Sequence, residues 1–309
     1  MPRRRRIIPG ASYRLTARCF DRRFYLVPSE AVDATVGFVL AYCAQKYAVQ
    51  IHAWVVMSNH VHLDITDPHA KAHKFIGLFK SLVARALNCK RGRWEYFWAP
   101  PPSALVRVVS KEDAIKGLAY TLVNPVAAGL VWSPDEWPGR GSLPGHLGAT
   151  KDDCLTYTFD KPDFFFRTEK DRGKLPDRIT LTLTPHPMGA DDPEGFVNEL
   201  EKATDQLREN ARRKMTGKKR RPMGADNVRA QKYWRNPGTR APRRRLIPTF
   251  AAKSTSLRVQ LARQQLAFDA EYDSALLTWL RRGKAVFPFG TCKMKGYPGV
   301  TIRGAPAAA

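Results

Sequence analysis

Two strand-like segments lie on either side of a break of only two polar residues, Ser58 and Asn59. The first segment covers residues 49–57 and the second residues 60–66, and both are rich in Val, Ile and Trp or other strand-forming residues. Such runs around a short polar break are typical of a β-hairpin. Because side chains alternate between the faces of a strand, His60 and His62 are predicted to lie side by side on one face.

The same alternation assigns the two faces of the predicted hairpin. The apolar core face is predicted to carry Trp54, Val56, Val61, Leu63 and Ile65, together with His52. The other face is predicted to carry Ile51, Ala53, Val55, Met57, His60, His62 and Asp64. The two histidines are therefore expected on the side that is available for chemistry.

The elements around the hairpin predict an α+β sheet domain over residues 11–145. A strand over residues 12–20 is followed by a helix that starts at Ser29, and a second helix follows the hairpin after Asp67-Pro68. Two short strands are expected near residues 94–98 and 105–109. A helix with Ser110 as its N-cap then runs through Tyr120 towards Asn124. The order β-α-β-β-α-β-α implies a compact antiparallel sheet with helices.

The rest of the chain has a different character. Residues 1–10 form a basic N-terminal arm, and residues 146–207 are predicted to be a loop-rich connector with a strand-like patch at 180–184. Residues 208–250 are predicted to form an extended arm that follows DNA, because residues 208–245 carry fifteen Lys and Arg against two acids. Residues 251–309 are predicted to hold a helix over about 253–282 and a terminal strand or turn unit.

Composition favours a polyanionic partner. Lys and Arg outnumber Asp and Glu by 52 to 28, a formal net charge of +24, which most often indicates nucleic acid; the alternative is a merely soluble, basic surface. No apolar run approaches the roughly 20 residues of a membrane span, and the N-terminus lacks the apolar core of a secretory signal. The five cysteines are scattered without a CxxC pair. These features predict a cytoplasmic protein with reduced thiols, no membrane partner and no cysteine-based zinc site.

Histidines spaced as His60 and His62 suit a divalent metal, since neutral imidazole nitrogens are good ligands and open positions remain for phosphate oxygens. A purely structural pairing is the alternative. Tyr120 lies on a predicted helix with Asn124 one turn later on the same face. An unassisted phenol is a poor nucleophile because its pKa is near 10, so a nearby cation would be needed. Without the histidines, Tyr120 would be read as a half-buried helix tyrosine.

Two segments resemble those of REP-associated tyrosine transposases, members of the HUH single-tyrosine group. Residues 53–63 (AWVVMSNHVHL) and residues 119–131 (AYTLVNPVAAGLV) carry the resemblance, which extends over residues 10–140. It departs from the family at Thr121, Leu122 and Val123, which replace the usual isoleucine-histidine pair, and in the long basic C-terminal half.

The resemblance implies a ferredoxin-like α+β fold and a Mg²⁺ or Mn²⁺ ion held by His60 and His62. It further implies Tyr120 as the nucleophile and Asn124 as an additional metal ligand. The family cleaves and joins single-stranded DNA, often at hairpins of palindromic repeats, through a 5′-phosphotyrosine intermediate. The alternatives are a non-catalytic, domesticated DNA-binding protein and, less favoured, an RNA-binding α+β module. A monomer and a homodimer are both compatible with the sequence.

Basic and aromatic side chains near the domain are the predicted DNA contacts. The basic set is Arg3, Arg4, Arg5, Arg6, Lys80, Arg85, Arg91 and Arg93. Trp94, Tyr96 and Trp98 are candidate platforms for base stacking, with core packing as the alternative.

Overall fold

A central sheet carries the N-terminal domain. The computed structural model describes residues 4–100, 103–164, 175–239 and 248–305. Its first six main elements are β1 (Ala11–Arg18), α1 (Glu30–Tyr47), β2 (Gln50–Met57), β3 (His60–Asp67), α2 (Ala72–Lys90) and β4 (Ala104–Val108). The strands pair in the order β2-β3-β1-β4, each antiparallel to its neighbour. This β-α-β-β-α-β topology is ferredoxin-like, and it confirms the predicted α+β class.

Helices α1 and α2 cover one face of the sheet and form the main core. Trp54, Val56, Val61, Leu63 and Ile65 all belong to this core, as their alternation predicted. The Ser29 side chain accepts a hydrogen bond from the backbone of Val32, which fixes the start of α1. The carboxylate of Asp67 accepts three backbone N–H groups, those of residues 69, 71 and 72, and so caps the start of α2.

The second face of the sheet is covered by α3 (Lys111–Ala127), which begins at the predicted N-cap, Ser110. Helix α4 (Pro193–Gly217) packs along the outer side of α3. The contact buries Phe196 and Leu200 of α4 against Ile115 and Leu118 of α3. Helix α3 is therefore held between the sheet and α4, which fixes the position of its polar side chains.

A β-bulge in β2 corrects the predicted faces of the hairpin. The pairing of β2 with β3 shifts between Ile51 and Ala53, so that one extra residue is inserted. Side chains before the bulge therefore change face. Ile51 packs in the core beneath α1 and α2, whereas His52 points to the other face and bonds Thr66 of β3. The predictions for Ile51 and His52 were wrong, while those from Ala53 onward are confirmed.

The expected strand at residues 94–98 does not form. Only a single bridge joins Trp98 to Cys19. Phe97 and Trp98 are both buried, whereas Trp94 and Tyr96 are exposed. Two consecutive buried side chains are incompatible with the alternation of a surface strand, which explains the failure. The strand predicted at 105–109 is confirmed as β4.

The C-terminal half is more ordered than its sequence indicated. Strands β5 (Thr156–Asp160) and β6 (Arg178–Thr182) pair antiparallel and pack on α1. Helix α4 crosses the predicted boundary between connector and arm, so residues 208–217 are helical rather than extended. The apolar side of α4 packs on α3 and thereby stabilises a helix that the charge run obscured. Residues 240–247 of the predicted arm lie outside the described residues.

The final elements bear out the expected C-terminal helix. They are α5 (Ala225–Arg229), β7 (Phe250–Ala251), α6 (Thr255–Arg282), β8 (Ala285–Phe287) and β9 (Val300–Ile302). Strand β7 adds to the sheet parallel to β4, and α6 packs against β8. Among the described residues, no helix combines the length and apolar character that crossing a membrane requires.

Candidate active site

A row of polar side chains runs across the two central strands on the face beneath α3. The register of β1 and β3 places Arg18 opposite His60 and Thr16 opposite His62. Two further pairs continue the row, Arg14 with Asp64 and Ser12 with Thr66. The alternation of each strand therefore collects eight polar residues on one face, which is unusual for a covered sheet and marks it as a site.

His60 and His62 lie with ring centroids 4.8 Å apart and planes 85° apart. Nδ1 of His60 is 2.7 Å from the Asn59 side-chain oxygen. With the amide oxygen of Asn59 as acceptor, Nδ1 of His60 carries the proton, and the ring's other nitrogen, Nε2, faces its remaining partners. Nδ1 of His62 is 2.9 Å from the Thr16 hydroxyl. Each histidine is thus oriented through Nδ1, an arrangement that leaves Nε2 to bind a ligand.

Both imidazoles are held neutral by their surroundings. Burial and the positive charge of Arg18 lower the pKa of His60 to about 4, and a side-chain hydrogen bond with Asn124 partly opposes that shift. Burial, followed by the charges of His60, Arg14 and Arg18, lowers the pKa of His62 well below its usual value. Neutral imidazoles at physiological pH are the form that binds metal ions.

Helix α3 brings Tyr120 and Asn124 to the histidines. The Tyr120 ring centroid is 5.4 Å from that of His62, with planes 82° apart. Tyr120 is 42% exposed, whereas Asn124, one turn later, is 4% exposed. The side chain of Asn124 reaches His60. The four residues singled out from the sequence therefore meet at one place, with the phenol open to solvent and the amide beneath it.

Thr121 lies where the sequence departs from the family pattern. Its partner is Asp64 of the polar row. Its hydroxyl donates to the Asp64 carboxylate, which also pairs with Nε of Arg14 at 3.1 Å. Burial raises the pKa of Asp64, and Arg14 and Thr121 oppose that shift. A Cβ added to Gly117 would lie 1.2 Å from the Arg14 guanidinium. A larger residue at position 117 would therefore displace the Arg14 guanidinium from its place under α3.

The donor set fits a divalent ion at His60 and His62. The possible ligands are two neutral imidazoles, each oriented by a hydrogen bond at Nδ1, and the amide oxygen of Asn124. These three nitrogen and oxygen ligands leave coordination positions open for phosphate oxygens. Among the described residues, no group of three or more His, Cys, Asp and Glu side chains is arranged to hold a metal. An ion held here would therefore depend on Asn124 or on a bound nucleic acid for its further ligands.

Most of the predicted DNA-binding cations have partners within the protein. Arg91 donates to the Tyr25 carbonyl, and the Arg93 guanidinium stacks over the Tyr25 ring at 4.0 Å. Arg5 and Lys80 bond to Ser103. Arg4 pairs with Asp273, and Arg6 lies over the Phe268 ring. Arg85 is exposed on α2, and Arg3 lies outside the described residues. None of these contacts, made by the described members of the set, involves Tyr120.

Of the predicted aromatic platforms, two are exposed and one is buried. Trp94 and Tyr96 are 92% and 78% exposed, and the Tyr96 ring contacts Phe20. Trp98 is buried, and its indole N–H donates to the carbonyl of Lys80. The stacking role proposed for Trp98 is therefore ruled out, and only Trp94 and Tyr96 remain available to a base.

A groove of about 730 Å³ opens beside Tyr120, between α3 and the C-terminal half of α4. Its basic lining residues are Lys214, Lys218, Arg220 and Arg221. All four are exposed, and none forms an ion pair with an acid in the described parts of the chain. Sequence reasoning missed this groove because it treated residues 208–217 as an arm. Apolar residues at helical spacing (Phe196, Leu200, Ala203, Leu207, Ala211 and Met215) were the signal for α4.

The fold and the site together define the class of protein. It is a ferredoxin-like domain whose polar sheet face carries paired histidines beneath a helix that bears a tyrosine. Residues 8–100 match the model of the family described as "Transposase IS200 like". The resemblance inferred from the sequence is thereby confirmed for this part of the chain, which is similar to the IS200-like transposases. The matched segment contains His60 and His62 and ends before Tyr120 and Asn124.

One solved structure, described as "Structure of the REP associates tyrosine transposase bound to a REP hairpin", is similar to the chain. The alignment has a TM-score of 0.39 and 21% identity, and it covers 44% of this chain and 79% of that one. No curated protein matches the chain.

Proposed function

We propose that this protein cleaves and rejoins single-stranded DNA through a covalent phosphotyrosine intermediate on Tyr120. The observation that carries the proposal is the meeting of His60, His62 and Tyr120 at one polar face, although Tyr120 comes fifty-eight positions after His62 in the sequence. The match of residues 8–100 to the IS200-like transposases supports it. The net charge of +24 and the basic groove beside Tyr120 supply the attraction for a polyanion.

In this proposal Tyr120 acts as the nucleophile, which its exposure supports, as does the packing of its helix against the sheet and α4. The Tyr120 oxygen forms a bond to phosphorus and loses its proton to water. The bond from phosphorus to the 3′ oxygen breaks, and that oxygen takes a proton to become a free hydroxyl. The products are a 5′-phosphotyrosine and a 3′-hydroxyl end. Attack by a 3′-hydroxyl on the phosphotyrosine reverses the step, so rejoining needs no separate energy source.

His60 and His62 would hold Mg²⁺ or Mn²⁺ through Nε2, and Asn124 is the proposed further ligand. A divalent cation bound there polarises the scissile phosphate and stabilises its developing negative charge. Asn59 and Thr16 orient the two rings. Tyr120 and Asn124 share one short stretch of α3, so the proposed nucleophile and the proposed further ligand are held by the same helix.

A hairpin-bearing single strand tests the proposal. The protein is incubated with labelled DNA and Mn²⁺, and a covalent adduct is sought on a denaturing gel. We expect an adduct with the wild type and none with Tyr120→Phe. Tyr297→Phe is the matched control, since Tyr297 is an exposed tyrosine in the C-terminal part of the chain. An undiminished adduct from Tyr120→Phe, or none from the wild type on any hairpin tested, rejects the proposal.

A second candidate is a DNA-binding protein that does not cleave. The groove beside Tyr120 favours it, because its four exposed cations can contact the phosphates of a strand without any bond being broken. Hairpin binding that EDTA leaves unchanged, with no adduct under any condition, would support this candidate. Displacement of the DNA by an equal concentration of RNA would instead indicate an RNA-binding module.

A further inference from the structure

An apolar stripe runs along the exposed side of α6. Val259, Leu266, Leu277 and Leu280 are between 45% and 65% exposed. The opposite side of the helix is buried through Leu261, Gln265, Phe268, Tyr272 and Ala275. At 100° per residue the exposed residues lie on average about 140° from the centre of this buried side. The stripe is therefore a separate surface that the described fold leaves without a partner.

The stripe has the spacing of a helix-pairing seam. Its members are Val259, Arg263, Leu266, Ala270, Asp273, Leu277 and Leu280. Successive members are four and three residues apart in alternation, the repeat by which one helix packs on another. All seven positions are exposed. Two of them are charged, and the charges are opposite.

The two charges favour one arrangement of two copies. In a parallel, in-register pair, each Arg263 would face the other Arg263 and each Asp273 the other Asp273. In an antiparallel pair, Arg263 faces Asp273 of the second copy when Leu266 faces Ala270. The same register places Val259 against Leu277. This one register pairs opposite charges and apolar residues across the six layers from Val259 to Leu277, with Leu280 facing Ser256 at each end, and like charges disfavour the parallel alternative.

We propose that α6 is a self-association surface and that its occupant is α6 of a second copy of this chain, antiparallel. The argument for this occupant is the charge complementarity of the stripe with itself. Asp273 is 54% exposed at its side chain and bonds Arg4 through one oxygen, so its carboxylate can receive Arg263 as well. This proposal is independent of the chemistry at Tyr120.

Light scattering and sedimentation of the full-length chain, from about 1 to about 100 µM, test the pairing. We expect a dimer whose dissociation constant rises at least about tenfold in Arg263→Asp and in Asp273→Arg. The double variant Arg263→Asp/Asp273→Arg restores the opposite charges and should recover most of the wild-type affinity. Recovery is the decisive result, because general damage to α6 cannot be reversed by a second change.

Leu266→Glu gives a test that leaves Arg4 and Asp273 untouched. It should produce a monomer with unchanged helical content by circular dichroism. Ala267→Glu is the control, since Ala267 is the exposed neighbour that lies off the stripe. A wild type that stays monomeric over the whole range overturns the proposal. So does a dimer that both Leu266→Glu and the charge variants leave intact, because another surface must then hold it.

Discussion

The Thr16 hydroxyl lies 2.9 Å from Nδ1 of His62, across the β1–β3 pairing. Groups that orient a metal-binding histidine through its other nitrogen commonly contribute 10- to 100-fold to metal affinity. Thr16→Val should therefore weaken Mn²⁺ binding by about 10- to 100-fold while the fold persists. Isothermal titration with MnCl₂ measures the change.

Thr158→Val serves as the control for this prediction, since Thr158 is exposed on β5, away from the polar row. It should bind Mn²⁺ as the wild type does. An unaltered affinity in Thr16→Val would show that the His62 ring is held by its packing alone.

The Arg14–Asp64 pair is expected to stabilise the domain because both partners are largely removed from water. Removal of one partner from such a pair leaves an uncompensated charge and costs about 3 kcal/mol or more. Arg14→Leu should therefore lower the free energy of unfolding by about 3 kcal/mol in urea titrations followed by circular dichroism. The pair is 3.1 Å apart, and Asp64 is 4% exposed.

A second substitution separates loss of charge balance from loss of packing. In Arg14→Leu/Asp64→Leu no charge is left unpaired, so the double variant should be more stable than Arg14→Leu. If the double variant is the less stable of the two, Asp64 without Arg14 still stabilises the domain, and its hydrogen bond from Thr121 outweighs the loss of charge balance.

The hairpin was predictable because a two-residue turn leaves one register, and alternation then assigns every side chain to a face. The bulge at Ile51 was not, since an inserted residue carries no mark in the sequence and only the pairing with β3 reveals it. It moves His52 to the site face. Alternation along each strand thus predicted the hairpin correctly. It failed for Ile51 and His52, because the pairing with β3 decides on which face these two side chains lie.

The site itself was predicted in part for a different reason. Periodicity placed His60 and His62 together, but only a resemblance to known proteins connected them with Tyr120. The contact depends on the packing of α3 against the second face of the sheet, which no local pattern encodes. The groove at Lys214 depends in turn on the packing of α4 on α3, and the basic composition of that segment favoured an extended arm.

His52 should make the stability of the protein depend on pH. Burial lowers its pKa from 6.5 to about 4, so between these values the unfolded chain binds a proton that the folded chain does not. The free energy of unfolding is therefore unaffected by His52 above pH 6.5. It falls as the pH drops towards 4, by about 3 kcal/mol from this residue. The ring centroid of His186 is 4.6 Å from that of His52. Burial and His52 lower the pKa of His186 to about 2, so His186 also makes the protein less stable as the pH falls.

The difference between variants isolates this contribution from that of the carboxylates. His52→Gln should lose less free energy of unfolding between pH 7 and pH 4.5 than the wild type does. His69→Gln, at an exposed histidine that follows β3, should lose as much as the wild type. Equal losses in all three proteins would show that His52 is not the group that responds.

The groove beside Tyr120 should supply a measurable share of the salt dependence of DNA binding. Each phosphate contact to a single strand contributes about −0.7 to the slope of log affinity against log salt. Lys214→Glu/Arg221→Glu should therefore weaken binding of a fluorescent single strand and make that slope shallower by about 1.4, as measured by anisotropy at several KCl concentrations. Both residues line the groove and are exposed.

Lys202→Glu and Glu201→Lys provide matched charge changes on α4, at exposed positions outside the groove lining. Both should leave the slope as it is, because neither side chain lies beside the path of a strand that reaches Tyr120. A uniform loss of affinity in Lys202→Glu and in the groove variant would attribute binding to the overall positive charge. A loss of affinity confined to the groove variant would show that α4 holds the strand at the tyrosine. Helix α4 lies outside the matched family segment.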